Sequence, residues 1–344
     1  VRSIPTTHPS LWESFLPTRY SLSCSHWLRT SHTEFWILGF ATTEKRMEGT
    51  PQPARKTLWS DAWRQFRRHR LAMAGLTIFG FFVLACAAGP IVYRTAPDAI
   101  DFSRANEGPS SDHPLGTNDR GEDILARILY GGRVSLAVGI VAMLIGVLLG
   151  TAIGAISGYF GGITDTVLMR ITELLISLPQ LPLLLLVVYF FRDSLREWVG
   201  IYAGTFLMMV IVLGGLQWMS VARLVRASFL SIKTKEYIEA AHCIGVPPFR
   251  MIVGHMLPNA ASGIIVSSSL AVAGVILSES TLSFLGLGFP PDYPTWGRLL
   301  FDAKDLLAIA PHVVLIPGAM IFLTVLSINF IGDGLRDALD PRKN

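Results

Sequence analysis

The chain has 344 residues, of which 51% are hydrophobic and 16% are charged. Soluble globular proteins carry about 25% charged residues, so this composition indicates a membrane protein, in line with a mean hydropathy of +0.47. The net charge of +4 comes from short clusters of Lys and Arg beside apolar runs, which is typical of membrane topology signals and argues against nucleic acid as a partner. The cysteines Cys24, Cys86 and Cys243 are far apart and fit neither a disulfide framework nor a metal site.

Residues 1–46 differ in composition from the rest of the chain. They are rich in Ser, Thr, Trp and His and have no sustained apolar period. We expect them to be either a disordered extension or upstream sequence ahead of a true start at Met47. The second interpretation is favoured, because Met47 opens a polar, basic lead into an apolar helix. Residues 47–70 are expected to form a cytoplasmic N-terminal segment.

Six apolar stretches follow, and each is long enough to cross the roughly 30 Å hydrocarbon core of a bilayer, which takes about 20 helical residues. They cover residues 71–93, 134–156, 166–191, 199–222, 260–287 and 310–331. Backbone groups inside a bilayer must be hydrogen bonded within the segment. The chain is therefore predicted to be an all-α polytopic membrane protein with six transmembrane helices. Kinks are expected at the prolines in or near these stretches, which are Pro90, Pro179, Pro182 and Pro317.

Glycines recur every four residues in the second stretch, at Gly146, Gly150 and Gly154. This spacing places them on one face of a helix, where a second helix can approach closely. A helix-packing seam is favoured over a substrate-lining role.

Lys and Arg concentrate in three segments that six spans place on the same side of the membrane. They are Arg55, Lys56, Arg64, Arg67, Arg68 and Arg70 before the first span, Arg223, Arg226, Lys233, Lys235 and Arg250 between the fourth and fifth, and Arg336, Arg342 and Lys343 at the end. The positive-inside tendency assigns this side to the cytoplasm. Both termini, including the tail 335–344, are expected there, and residues 133–334 are predicted to hold a core of five helices.

The predicted periplasmic loop, residues 94–132, ends in an amphipathic segment. Its apolar residues stand at helical spacing and are Ile124, Leu125, Ile128 and Leu129. We expect an interfacial helix that is capped by Asn118 or Asp119. The acidic cluster formed by Asp119, Glu122 and Asp123 lacks the alternating ligand spacing of a calcium loop, so no metal site is predicted there.

The most informative segment is the predicted cytoplasmic loop 228–258. Thr234 can cap a short helix. The residues of one face of that helix, at i, i+3, i+4 and i+7 spacing, are Tyr237, Ala240, Ala241 and Ile244. Gly245 suits a left-handed helix stop, and Pro247 or Pro248 can begin a second short helix. The sequence therefore predicts a helix–turn–helix elbow that fits a groove on another protein.

This elbow resembles the EAA loop of ABC importer permeases, in which Glu-Ala-Ala is followed by Gly and then by Leu-Pro at fixed distances. The matching residues are Glu239, Ala240, Ala241, Gly245, Leu257 and Pro258. His255 stands where the broad family usually has Ile, a departure typical of the C-type permeases of dipeptide, oligopeptide and nickel importers. The segments HPLGTNDRGEDILARILYGGRVSL, GYFGGITDTVLMR, LSESTLSFLGLGFPPDYPTWGRLL and INFIGDGLRDALDPR resemble the same subgroup, so the resemblance covers residues 58–342.

The resemblance implies the type I ABC importer permease fold and one half of a translocation pathway. In this family the elbow docks into a cleft of a cytoplasmic ATPase, where Glu239 would make polar contacts, Ala240 and Ala241 would allow close approach, and Gly245 would hold the turn. The implied partners are ATPase subunits, a second permease subunit, an extracytoplasmic substrate-binding protein and the lipid bilayer. ATP and Mg²⁺ would bind to the ATPase, so no cofactor is expected in this chain. Peptides are the favoured substrate, with nickel or another small solute left open.

Glu279 and Ser278 are expected in the outward half of the fifth span. An ionisable residue there either lines a pore or gate or anchors helices by hydrogen bonds, and the sequence leaves both roles open. The eight histidines show no ligand spacing, so no metal site is predicted. No G-x-x-x-x-G-K-[ST] phosphate loop and no clear nucleophile–base pair occurs, so an enzyme is not expected. A secondary transporter or channel is less favoured, because neither an inverted repeat nor midplane coupling residues stand out.

Overall fold

The computed structural model describes residues 58–339. The expected extension 1–46, the start at Met47 and the last five residues of the predicted tail lie outside the described residues. The helices are α1 (Leu58–Arg68), α2 (Arg70–Val92), α3 (Ile124–Phe160), α4 (Gly162–Ser177), α5 (Gln180–Val199), α6 (Ile201–Lys233), α7 (Glu236–Cys243), α8 (Pro248–Phe284), α9 (Trp296–Ala303) and α10 (Pro311–Leu339). No β-strand occurs between residues 58 and 339, where a single antiparallel bridge joins Thr117 and Asp123.

Five of these helices, α2, α3, α6, α8 and α10, are each long and apolar enough to cross a membrane. The helices α4 and α5 meet this criterion only as a pair, and they are bent by 93° relative to each other. The six spans predicted from the sequence are present when this bent pair is counted as one broken span. The prediction of an all-α polytopic fold is confirmed.

The predicted third span, residues 166–191, is not one continuous helix. Leu178 and Pro179 separate α4 from α5, and both adopt extended backbone conformations. Pro179 and Pro182 lack an N–H group, so the helical hydrogen-bond ladder cannot run through the junction. The sequence predicted kinks at these prolines, whereas two prolines three residues apart produce a full break.

The helix α3 begins at Ile124 and includes the predicted second span. The residues expected to form a separate interfacial helix are therefore the first turns of this long helix, and the prediction of a separate helix is wrong. Its N-cap is Asp123, not Asn118 or Asp119. The Asp123 Oδ1 atom accepts a hydrogen bond from the N–H of Ala126 at 2.7 Å, because the residue directly before a helix is placed to reach the free N–H groups of the first turn.

The helices α3 and α6 pack against each other along the glycine seam. Gly146, Gly150 and Gly154 all face α6, as predicted. A Cβ atom added to Gly150 would lie 2.5 Å from the carbonyl oxygen of Trp218 and 2.6 Å from the Cβ of Val221. Only glycine lets the two backbones approach this closely, so the helix-packing seam is confirmed.

The substitution Gly150→Val is expected to destabilise the protein, because its side chain has no free volume between α3 and α6. Overpacking a filled interface costs about 1–3 kcal/mol, occasionally more, and the nearest neighbour here is a backbone oxygen that cannot rotate away. The thermal midpoint of the purified protein should fall by several degrees. Gly80→Val is the control, since nothing lies within 4 Å of a Cβ added to Gly80. Equal losses in both variants would contradict the seam.

The end of the bundle opposite α7 is held together by a buried arginine. The Arg127 side chain is 1% exposed and forms ion pairs with Glu122 and with Asp302, the latter with an Nη2–Oδ2 distance of 3.7 Å. Its Nη2 also donates to the carbonyl of Pro291 at 3.2 Å. Arg127 therefore ties α3 to the loop before it, to α9 and to the segment between α8 and α9.

The short helix α1 packs against the last turns of α10. Phe66 is buried beside Ala338, and the Gln65 Nε2 atom donates to the carbonyl of Asp337 at 2.9 Å. The described part of the predicted N-terminal segment 47–70 thus contacts residues that were predicted to belong to the tail. That tail is helical as far as Leu339, since α10 continues beyond the apolar stretch.

Candidate functional site

The helix α7 follows α6 after a short turn, and Thr234 does not cap it as predicted. The Thr234 hydroxyl donates to the carbonyl of Ser231 at 3.0 Å. Lys235 occupies the N-cap position of α7 and makes no side-chain capping bond. Thr234 is the C-cap residue of α6, so its hydroxyl bonds to one of the carbonyls that are left without a partner at a helix end.

Gly245 ends α7 in the left-handed conformation that the sequence predicted, with φ of +79°. Its N–H donates to the carbonyl of His242 at 3.0 Å, and the N–H of Val246 donates to the carbonyl of Ala241 at 3.2 Å. These two bonds form a Schellman motif, which glycine favours because it has no Cβ to clash in this conformation. Gly245 therefore sets the direction in which the chain leaves α7.

One edge of the predicted α7 face is buried against the bundle, and the rest of that face is exposed. Ile238 and Ala241 are buried, whereas Tyr237, Ala240 and Ile244 are exposed. The buried residues of the apolar cluster that receives this face are Ala155, Val221, Val225, Phe229, Met251, Met256 and Ala260. Helical spacing identified an apolar stripe, but only the contact with the bundle decides which part of that stripe is covered.

The second arm of the elbow begins at Pro248, one of the two prolines predicted to start it. It is not a short helix, because α8 continues to Phe284 and includes most of the predicted fifth span, residues 260–287. The segment Met251–Met256 is π-helical. It stands just before Pro258, whose missing N–H interrupts the regular helical bonding pattern.

The six residues that carry the EAA resemblance have different environments. Those exposed to solvent are Glu239, Ala240, Gly245 and Pro258; Ala241 is buried and Leu257 is half-buried. Glu239 and Ala240 thus lie on the outer side of α7, while Ala241 attaches α7 to the bundle. The structure places Glu239, Ala240 and Ala241 in the middle of α7, Gly245 in the turn that follows, and Leu257 and Pro258 on α8.

Large apolar side chains stand out on the outer side of the elbow. Ile244 is 81% exposed and Phe249 is 78% exposed. We call this surface the elbow face, and its residues are Tyr237, Glu239, Ala240, Ile244 and Phe249. Exposed apolar groups that cluster beside charged residues are typical of protein–protein contact sites.

An ion pair that was not predicted fixes the neighbouring helices. Arg226 of α6 donates to Asp165 of α4 through two parallel bonds, Nε–Oδ1 at 2.5 Å and Nη2–Oδ2 at 2.6 Å. Ser157 of α3 donates to the same carboxylate. Bidentate pairs of this kind add geometric specificity as well as energy. The available signal was a single acidic residue near the start of an apolar stretch. A second ion pair, between Arg170 and Glu173 of α4, is exposed.

Glu279 lies in the protein interior with 0% exposure. Its Oε2 accepts a hydrogen bond from Ser135 at 3.2 Å and its Oε1 accepts one from Ser283 at 2.8 Å, which links α8 to α3. Ser278 donates to the carbonyl of Gly274 within α8 at 2.8 Å. This burial favours the anchoring role for Glu279, and a pore or gate role for either residue stays a prediction.

No group of three or more His, Cys, Asp or Glu side chains within residues 58–339 is arranged to hold a metal ion. The acidic cluster before α3 is engaged in protein contacts. Besides capping α3, Asp123 accepts a hydrogen bond from the Tyr93 hydroxyl at 2.8 Å and lies 2.8 Å from the Nδ1 atom of His113. The Asn118 side-chain amide donates to Glu122 at 2.6 Å.

Two protein families match this chain. The family described as "Binding-protein-dependent transport system inner membrane component" matches residues 150–344. The "N-terminal TM domain of oligopeptide transport permease C" matches residues 57–109. Among solved structures, a chain of the MetNI methionine ABC transporter in an inward-facing conformation is similar to this chain. The superposition covers 61% of this chain and 94% of the MetNI chain, with 20% sequence identity and a TM-score of 0.49.

Curated relatives are similar over most of their length. The oligopeptide transport system permease protein OppC of Haemophilus influenzae is 38% identical over 87% of this chain and 91% of its own length. The glutathione transport system permease protein GsiD of Pectobacterium atrosepticum is 39% identical over 83% of this chain and 92% of its own length. The dipeptide transport system permease protein DppC of Alkalihalophilus pseudofirmus is 37% identical over 83% of this chain and 90% of its own length. Since the first family covers more than half of the chain and the relatives cover most of it, this chain belongs to the binding-protein-dependent transport system inner membrane components, the permeases of ABC importers.

Proposed function

We propose that this permease forms half of a translocation pathway for di- and oligopeptides and that the elbow face receives the movement of a cytoplasmic ATPase. The observation that carries the proposal is the apolar elbow face, with Ile244 and Phe249 almost fully exposed on either side of the Gly245 turn. Covering such exposed apolar side chains with a partner removes them from water and so stabilises the complex. Glu239, exposed on the same helix, would add polar contacts at the ATPase surface.

The elbow is attached so that its movement reaches the bundle. Ile238 and Ala241 anchor α7 in the apolar cluster that includes Phe229 of α6 and Met256 of α8. The second arm of the elbow is continuous with the spanning helix α8. A displacement of the elbow would therefore act on α6 and α8 together, since packed helices move as bodies and deform little.

The proposed orientation places the elbow face and both termini in the cytoplasm. The support is the concentration of Lys and Arg up to the start of α2, from the last turns of α6 to the first turn of α8, and from the end of α10 onward, which is the usual cytoplasmic bias. The chain would be the non-catalytic subunit, with ATP and Mg²⁺ bound by the partner ATPase. A second permease subunit would complete the pathway, and an extracytoplasmic binding protein would deliver the substrate.

Peptides are the proposed substrate because the relatives are named as oligopeptide, dipeptide and glutathione permeases. Nickel or another small solute is the alternative, and it predicts a different uptake result. Proteoliposomes that contain the whole importer should take up a labelled tripeptide only when ATP is present. Unlabelled peptide should compete with this uptake and Ni²⁺ should not. Uptake that continues without the ATPase would instead indicate a secondary transporter or channel.

Phe249→Asp tests the coupling role directly. A charge at this position should weaken the binding of the ATPase at least tenfold and reduce uptake to the same degree, because the apolar contact is lost and a charge must be desolvated. The matched control is Phe102→Asp, which makes the same change on a residue of similar exposure, 73%, at the other end of the bundle. This control should retain the ATPase on co-purification. Normal ATPase binding by Phe249→Asp would refute the elbow face as the docking site.

A further inference from the structure

The break between α4 and α5 opens a cavity of about 140 Å³. Three polar side chains line it, Gln180 at the start of α5 and Gln217 and Ser220 on α6. The rest of the wall is apolar and consists of Leu175, Ile176, Leu178, Leu183, Leu216 and Met219. The cavity is therefore an apolar pocket with a small number of amide and hydroxyl groups.

These amide groups lie within predicted spans, Gln180 in the third, residues 166–191, and Gln217 in the half of the fourth, residues 199–222, that is nearer the elbow. Gln217 stands at the centre of the 33-residue helix α6, about 24 Å from either end at 1.5 Å per residue. Neither Gln180 nor Gln217 makes a side-chain hydrogen bond to any residue between 58 and 339. Polar groups within a span are costly unless they face water or a bonding partner. Their position therefore indicates a surface that meets something polar within the membrane.

The surrounding backbone contributes further polarity and space. Pro182 has no N–H, so the carbonyl of Leu178 lacks the donor that a continuous helix would supply. A Cβ added to Gly146 of α3 would lie 2.9 Å from the Cβ of Gln217, so a glycine is needed beside this residue. The Gln217 Nε2 atom lies near Gly274 of α8, 3.4 Å from the position of an added Cβ. The Gln217 side chain is half-buried, and its amide makes no hydrogen bond to these neighbours.

We propose that Gln217 and Gln180 bind the backbone of the peptide as it passes through the membrane, an inference that rests on the proposed transport function. A carboxamide both donates and accepts hydrogen bonds, as does each peptide group, so it can pair with a peptide of any sequence. The apolar wall would accept varied side chains, which suits a pathway with broad specificity. The cavity has no carboxylate, imidazole or thiolate group, so its chemistry fits a peptide and does not fit Ni²⁺.

The test compares uptake of trialanine and of its backbone N-methylated form by the reconstituted importer, with wild-type protein and with Gln217→Leu. N-methylation removes peptide donors, and the variant removes the amide with little change in volume. If the two groups interact, the preference for unmethylated peptide should fall about fivefold in the variant, the loss expected for one net hydrogen bond of about 1 kcal/mol. The binding protein is the same in both arms, so its own preference cancels.

Asn329→Leu is the control, because it makes the same amide-to-leucine change in a separate, mainly apolar cavity beside Phe322 on α10. It should leave the preference unchanged. An unchanged preference in Gln217→Leu would overturn the proposal. A variant that no longer assembles with the second permease subunit would also overturn it, since the amide would then belong to a subunit contact. Absence of ATP-dependent uptake by the wild-type importer would reject the transport function itself, which is a distinct result.

Discussion

Gly245→Val is expected to reduce ATP-driven uptake at least tenfold while the protein still inserts into the membrane. The backbone at Gly245 has φ of +79°, a conformation that a β-branched residue adopts only under strain of about 1–3 kcal/mol. No atom lies within 4 Å of an added Cβ, so the valine side chain would not clash with the bundle. The strain would be relieved by opening the turn, which separates Ile244 from Phe249 and divides the elbow face.

Gly245→Asn is the matched control for this prediction. Asparagine tolerates the left-handed conformation better than any other side chain except glycine, so the turn should be retained. Uptake and ATPase co-purification should be lost together in the valine variant and largely preserved in the asparagine variant. If a well-expressed valine variant transports normally, the turn at Gly245 has no part in coupling.

Arg127→Ala is expected to destabilise the protein by about 3–5 kcal/mol, because it leaves the buried Glu122 carboxylate without its cation. Glu122 is only 3% exposed and cannot recover the lost interaction by hydration. The contacts to Asp302 and to the carbonyl of Pro291 would be lost at the same time. The thermal midpoint in detergent, measured at fixed protein and lipid concentrations, should therefore fall sharply.

Two further variants test whether the loss of stability comes from leaving a buried charge without its partner. Arg127→Met combined with Glu122→Gln removes the Arg127 and Glu122 charges together and should recover much of the lost stability, since Asp302 keeps its ion pair with Arg298 at 2.7 Å. Arg170→Ala breaks the exposed pair with Glu173 and should change the free energy of unfolding by only about 0–1 kcal/mol. A small effect of Arg127→Ala, close to that of Arg170→Ala, would argue against a structural role for the buried network.

The predictions that succeeded concern features with a local physical cause. A run of about 20 apolar residues crosses a bilayer whatever its neighbours are, so the apolar stretches correspond to the spanning helices and to the bent pair α4 and α5. Gly245 was identified as a helix stop because glycine can adopt a positive φ angle, and Pro248 as a helix start because proline fixes its own φ angle at a helical value. The glycine seam on α3 was predictable because helical periodicity alone places Gly146, Gly150 and Gly154 on one face.

The predictions that failed depended on what each residue meets in the folded bundle. Thr234 has the right side chain for a cap, but it stands at the end of α6 and bonds there. The exposure of each residue on the predicted α7 face could not be specified either: Ala241 is buried, because the bundle covers the side of α7 that also carries Ile238. The break between α4 and α5 could be predicted only as a kink, since proline spacing does not specify the angle at which two helices will pack.

The sequence by itself therefore determined the class of protein, the positions of its spans and the turn of the elbow. Each of these follows from the transfer of side chains into lipid or from the backbone freedom of single residues. Only the tertiary structure decided which polar groups are joined and which stay free. Arg226 and Asp165 are 61 residues apart and Arg127 and Pro291 are 164 apart, whereas the Gln217 amide makes no hydrogen bond to any residue between 58 and 339. Such pairings depend on distances between helices, and those distances are set by packing of the whole bundle.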